Sequence, residues 1–151
     1  MKQKLFFLIL CSCLSLAGTA QTVLFINAGS RAATGNQQEL TIDSKGNGRY
    51  YLRQVNGPVK DSAVISIGQE QLQNFLSRAE AAGFFNLNNE YKGKAVDGAG
   101  IYISMNSNGK KHFVELANTD IPLINELITQ LNSMLVPFHI RINYGQFETN
   151  K

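Results

Sequence analysis

The sequence predicts an α+β fold, an antiparallel sheet of two hairpin-containing halves with two α-helices packed on one face. Three observations carry that expectation. Leu72, Phe75, Leu76, Ala79 and Ala82 recur at helical spacing, and so do Ile121, Ile124, Leu127, Ile128, Leu131, Met134 and Leu135. Elsewhere short segments alternate apolar and polar residues, as half-buried strands do. Gly-rich or Asn-Gly links join two pairs of these segments into hairpins.

The chain opens MKQKLFFLILCSCLSLAGTAQT. Lys2 and Lys4 form a basic start, Leu5 to Ala17 is uncharged and mostly apolar, and Gly18 and Ala20 are the small residues before a cut. This is the pattern of a cleaved signal peptide over residues 1–20, so export to the periplasm or the medium is expected. A lipoprotein cut before Cys13 is the alternative. Cleavage after Ala20 removes both cysteines, leaving no disulfide or thiolate chemistry. It also removes Lys2 and Lys4, leaving 12 basic and 11 acidic residues, net +1. Such a balance provides no field for nucleic acid, and no mature segment has the length of a membrane span.

Along the mature chain, Val23–Asn27 reads as a first strand and Asn27–Gln38 as a loop rich in Gly, Ala, Ser and Asn. Residues 21–37 are thus expected to be a strand and a flexible loop ahead of a domain over 38–136. Glu39–Asp43 and Arg49–Gln54 form a hairpin about Ser44–Gly48, and Ala63–Ile67 another strand. A helix follows, stopped by Gly83 in the left-handed conformation with Phe84 folding back on it. Ile101–Met105 and His112–Leu116 make a second hairpin whose tip carries Asn108-Gly109. The second helix begins near Asp120, tolerates Pro122 in its first turn and ends before Pro137. Residues 137–151 read as an extended tail, with a last strand over Phe138–Tyr144 as the alternative.

Asp43–Gln54 resembles an EF-hand loop, but Lys45 supplies no oxygen ligand at position 3 and Gln54 lacks the bidentate carboxylate of position 12, which leaves a polar turn. Asn86, Asn88 and Glu90 fail because Tyr91 replaces the required glycine. His112 is expected on a strand surface, far in sequence from His139. Ser104, His112 and Asp97 could be drawn as a triad, yet there is no Gly-x-Ser-x-Gly elbow. Gly93-Lys94 lacks the rest of a phosphate loop. Arg49–Arg53 mixes basic and aromatic residues, most simply a solvated strand face. No catalytic residue, metal site or cofactor is expected.

The segments LTIDSKGNGRYY, GQEQLQNFLSRAEAAGFFNLNNEY, DGAGIYISMNSNGKKHFVEL and IPLINELITQL together resemble an exported bacterial domain of unknown function. Phe84, Phe85 and Leu87 match its helix end, Tyr91 its loop, Asp97 and Tyr102 its strand, and Gly109-Lys110 its hairpin. More distantly the chain is similar to emfourin, a protein inhibitor of thermolysin-like metalloproteases. The resemblance implies the α+β fold and a protein partner such as a protease. Tyr91, Asp97 and Tyr102 are the candidate binding residues, with a loop tie as the alternative role of Asp97.

The expected function is an exported, non-enzymatic interaction domain, possessing either the Asn27–Gln38 loop or an edge strand for strand addition. The competing expectation is a small-ligand-binding periplasmic domain. Its ligand would lie in a cleft between sheet and helices lined by Tyr50, Tyr51 or Tyr102.

Overall fold

Alternation of side chains from Leu24 to Ser30 on one central strand sets the architecture. The computed structural model describes residues 20–30, 32, 35–94 and 98–144. The expected signal peptide (except Ala20) and Asp97 lie outside the described residues, as do Arg31, Ala33 and Thr34 of the expected loop and the end of the tail beyond Tyr144. The strands are β1 (Thr22–Ser30), β2 (Asn36–Asp43), β3 (Asn47–Gln54), β4 (Val59–Ser66), β5 (Glu90–Lys92), β6 (Ala99–Ser107) and β7 (Lys110–Ala117). The helices are α1 (Gln69–Ala81), between β4 and β5, and α2 (Pro122–Leu135), after β7.

The strands form one seven-stranded sheet in the order β4-β3-β2-β1-β6-β7-β5. Leu24, Ile26 and Ala28 of β1 stand beside Met105, Ile103 and Ile101 of β6. On the other side Leu24 and Ile26 face Ile42 and Leu40 of β2. All of these are buried and belong to one apolar cluster with Leu72, Phe75, Leu76 and Ala79 of α1 and Ile124, Leu127, Leu131 and Leu135 of α2. Both helices therefore cover the same face of the sheet.

Two details of the expected sheet are corrected. β5 runs parallel to β7, so the sheet is mixed. α1 carries the chain from the β4 edge to the β5 edge, and the returning strand arrives in the direction of β7. Nor are there two equivalent hairpin halves: β1 to β4 form a continuous meander, against which β6, β7 and the short β5 are laid. The expected Asn27–Gln38 loop is also mostly strand. β1 continues to Ser30 and β2 starts at Asn36, because pairing on both sides overrides the weak strand preference of Gly, Ala, Ser and Asn.

The turns follow their residues. Asp43 Oδ1 accepts the Lys45 and Asn47 N–H groups at 2.8 and 3.0 Å, so the EF-like stretch is an ordered polar turn. Asn108 and Gly109 both have positive φ, the requirement of a two-residue hairpin turn. Gly83, at φ +93°, stops α1 and turns the chain into a 3-10 turn, Phe84–Asn86. Phe84 then inserts fully into the core. His112 meets it there, which corrects the expectation of a surface histidine. Its ring packs edge-on against Phe84 at 5.7 Å, and Nε2 lies 3.0 Å from the Leu87 carbonyl oxygen.

α2 starts as expected, with Pro122 in its first turn, and ends in a 3-10 turn, Val136–Phe138. Residues 140–144 add no strand. They run extended beside α2, with Ile140 and Ile142 buried. The Tyr144 hydroxyl donates to Asn125 Oδ1.

Two outcomes follow for stability. Phe84→Ala should cost about 3–5 kcal/mol in urea unfolding, the usual range for a fully enclosed phenylalanine. Burial, then the nearby Asp120 charge, push the Tyr144 hydroxyl up from 10.0 to about 12. A pKa raised by folding means the stabilisation is complete below the unfolded value and lost as pH climbs from there through the folded one. Tail contacts should thus weaken between pH 10.0 and about 12. Tyr144→Phe should remove the latest component of the tyrosinate absorbance titration.

Candidate functional site: the uncovered sheet face

The side chains that alternate with the core residues occupy the other face of the sheet, which no helix among the described residues covers. Cross-strand register arranges them in rows. One row runs Val64, Arg49, Thr41, Phe25, Ser104, Phe113 from β4 to β7. The next runs Ser62, Tyr51, Glu39, Asn27, Tyr102, Glu115. In the third row Gln37 is followed by Gly29 and Gly100, so no side chain rises from β1 or β6. The result is a groove of about 890 Å³ along β1 and β6, flanked by Phe25, Asn27, Gln37, Tyr102 and Lys111.

Rings crown one side of this groove. Phe25 meets Tyr102 edge-on at 5.9 Å, and Tyr102 stacks on Phe113 at 5.5 Å with 19° between planes. Aromatic pairs at such spacing hold one another in place and leave outer faces free for contact. On the far side, Arg53 Nη2 bonds Glu39 Oε2 at 3.3 Å and its guanidinium lies 5.9 Å from the Tyr51 ring centre. Arg49 donates weakly to the Tyr51 hydroxyl at 3.4 Å. That rim is therefore partly paired within itself, while the Arg53 Nε is buried with no hydrogen-bond partner among the described residues.

The groove floor is different. Asn27, Thr41, Ser104 and Asn106 are half-buried. Their side chains make no hydrogen bond to another described residue, whereas Gln38 and Asn132 on the covered side are fully engaged. Half-buried amides and hydroxyls without protein partners are ready to bond something placed over them.

The candidate binding residues separate in space. Tyr102 is central to the groove. Tyr91 is registered with Leu116 on the edge strand β5, packs against the core, and its hydroxyl accepts the Asn88 N–H at 2.9 Å. Tyr91 and Tyr102 therefore sit on opposite faces of the sheet. Asp97 lies outside the described residues. Tyr50, Tyr51 and Tyr102 do not line one cleft either. Tyr50 is buried on the helix side, where burial raises its pKa, and the space between sheet and helices is filled by the apolar core. Ser104 and His112 likewise face opposite sides, so they cannot share a triad.

Reasoning from sequence missed Phe25, Asn27 and Ser104. Their signal was available in the alternation of VLFINAGS and AGIYISMNS, since the residues between the buried ones must share the outer face. No protein-family model matches this chain, and no curated protein sequence matches it. Among the described residues no helix is long and apolar enough to cross a membrane.

Gly29 is what keeps the floor low. Its φ is +138°, and a Cβ there would lie 2.3 Å from the Asn36 carbonyl oxygen. Gly29→Ala should destabilise by at least about 1–3 kcal/mol in urea unfolding, from backbone strain alone.

Proposed function

We propose that this chain is an exported, non-enzymatic interaction domain that holds a protein partner against the uncovered face of its sheet. One observation carries the reading. The row across that face begins and ends in exposed apolar side chains, Val64 at 79% and Phe113 at 40% exposure, and between them the Thr41 and Ser104 hydroxyls have no hydrogen-bond partner among the described residues. Five strand-to-strand steps of ~4.8 Å separate those ends, roughly 24 Å in all. A protein surface reaches both ends at once, the rings serving as anchors and the amides and hydroxyls setting orientation. The groove is lined mainly by amides, hydroxyls and rings, with Lys111 and Glu115 at its β6–β7 side, a mixture suited to holding a partner. The similarity to emfourin makes a thermolysin-like metalloprotease the first partner to try.

A small ligand is the second reading, favoured by the groove itself. Its roughly 890 Å³ falls within the range of ligand sites, and polar groups converge on it. Such a ligand would lie on the outer face, not between sheet and helices.

Binding separates the two. Immobilised residues 21–151 should capture a protein from the exported fraction of the host; Tyr102→Ala should weaken capture by roughly tenfold, the range of a central anchor, and Val64→Ser, at the outer end of the row, by roughly two- to fivefold. Capture indifferent to both substitutions would sink the reading. A small molecule retained by the purified domain, released by Tyr102→Ala but not by Val64→Ser, would establish the ligand reading instead. With a metalloprotease as the captured protein, stoichiometric addition should abolish its activity.

A further inference from the structure

On the covered side of the sheet, residues 140–144 are held as a bound peptide is held. An extended chain directs the N–H and C=O of one residue to one side and those of its neighbours to the other. Here both sides are read by side-chain amides. Asn132 of α2 grips Ile142 twice, donating from Nδ2 to its carbonyl oxygen at 2.9 Å and accepting its N–H on Oδ1 at 2.7 Å. Gln38 of β2 works the opposite edge, donating from Nε2 to the Arg141 carbonyl oxygen at 2.6 Å and accepting the Asn143 N–H on Oε1 at 2.8 Å. The Tyr50 hydroxyl, 2.9 Å from Gln38 Nε2, steadies that amide.

These contacts ignore the side chains of residues 141 and 143. Selectivity comes from Ile140 and Ile142, which are 7% and 1% exposed. From Arg141 to Tyr144 the segment makes no backbone–backbone hydrogen bond with the described residues. It hangs from the body through His139, a non-glycine residue at φ +57° that follows the 3-10 turn after α2. Ile140, the first residue of the segment, directs its N–H to the Leu135 carbonyl oxygen at the end of α2 at 3.5 Å.

We infer that the cleft between α2 and β2 is a binding site for an extended polypeptide segment with aliphatic side chains at alternate positions. Residues 140–144 are its resident occupant, and a partner's segment of the same pattern takes their place. The site lies on the opposite side of the sheet from the groove and stands whether or not the groove reading holds.

The probe is a fluorescent peptide of residues 139–144, His-Ile-Arg-Ile-Asn-Tyr, titrated with residues 21–151 and followed by anisotropy. The resident segment competes, so the unaltered chain should bind weakly. Ile142→Ser loosens the resident segment while leaving the cleft intact, and should tighten peptide binding by roughly tenfold or more as the competent fraction rises. Adding Asn132→Leu should abolish that gain, and a peptide with serine for both isoleucines should not bind. No binding by a folded Ile142→Ser chain, or binding indifferent to Asn132→Leu, overturns the assignment. A second measurement needs no variant: a peptide with a photoreactive group in place of arginine, in large excess over the unaltered chain, should crosslink to β2 or α2. Crosslinking confined to other elements, or none, overturns it too.

Discussion

Everything in this molecule depends on burying one face of a sheet beneath α1 and α2. β1 enforces the condition, since it is paired along its length on both sides and its alternate side chains are fully enclosed. A slip of one residue would put Asn27 into the core and Ile26 into solvent. Burying an unpaired amide while exposing an isoleucine would cost several kcal/mol. The register of β1 therefore fixes that of β2 and β6 together, and the remaining strands follow from these.

One-sided coverage has two consequences. The helix layer is not wide enough by itself, and the extended segment after α2 completes it by inserting Ile140 and Ile142. The amides of Gln38 and Asn132 make that insertion possible, because a segment in such a position would otherwise leave backbone groups without partners. The other face keeps a mixture of rings, amides and hydroxyls that is neither a core nor a plain charged surface. The glycine pair Gly29 and Gly100 lowers its middle and turns it into a groove.

Legibility in the sequence varied with the range of the interaction. The two helices, the stop at Gly83 and the Asn108-Gly109 hairpin were legible because each depends on residues close together in the chain. β1 was read short, because AGS has low strand preference and only the pairing partners, Gly29 with Gly100 and Gln37, make it a strand. The direction of β5 was not legible at all. Three residues carry no statement of direction, and it is set by where α1 delivers the chain. His112 was assigned to the surface from its neighbours Lys111 and Phe113. The alternation HFVEL places it with Val114 and Leu116, and the ring is accommodated by giving its polar atom to the Leu87 carbonyl. The face shared by Phe25, Asn27 and Tyr102 followed from alternation, but their adjacency required a strand order that no local pattern contains.

The same residue types behave oppositely on the two faces, and the contrast gives the amides their meaning. Gln38 and Asn132, half-buried on the helix side, have every polar group engaged by the chain's own backbone or by Tyr50. Asn27 and Asn106, half-buried but uncovered, have none engaged within the described residues. Stability alone would be served as well by threonine or lysine at such strand positions, which gain β-propensity or solubility at no cost in pairing. Amides beside stacked rings, on a floor kept low by glycine, gain from being covered. The amides on one face are thus satisfied by the chain's own backbone, and those on the other have no hydrogen-bond partner among the described residues.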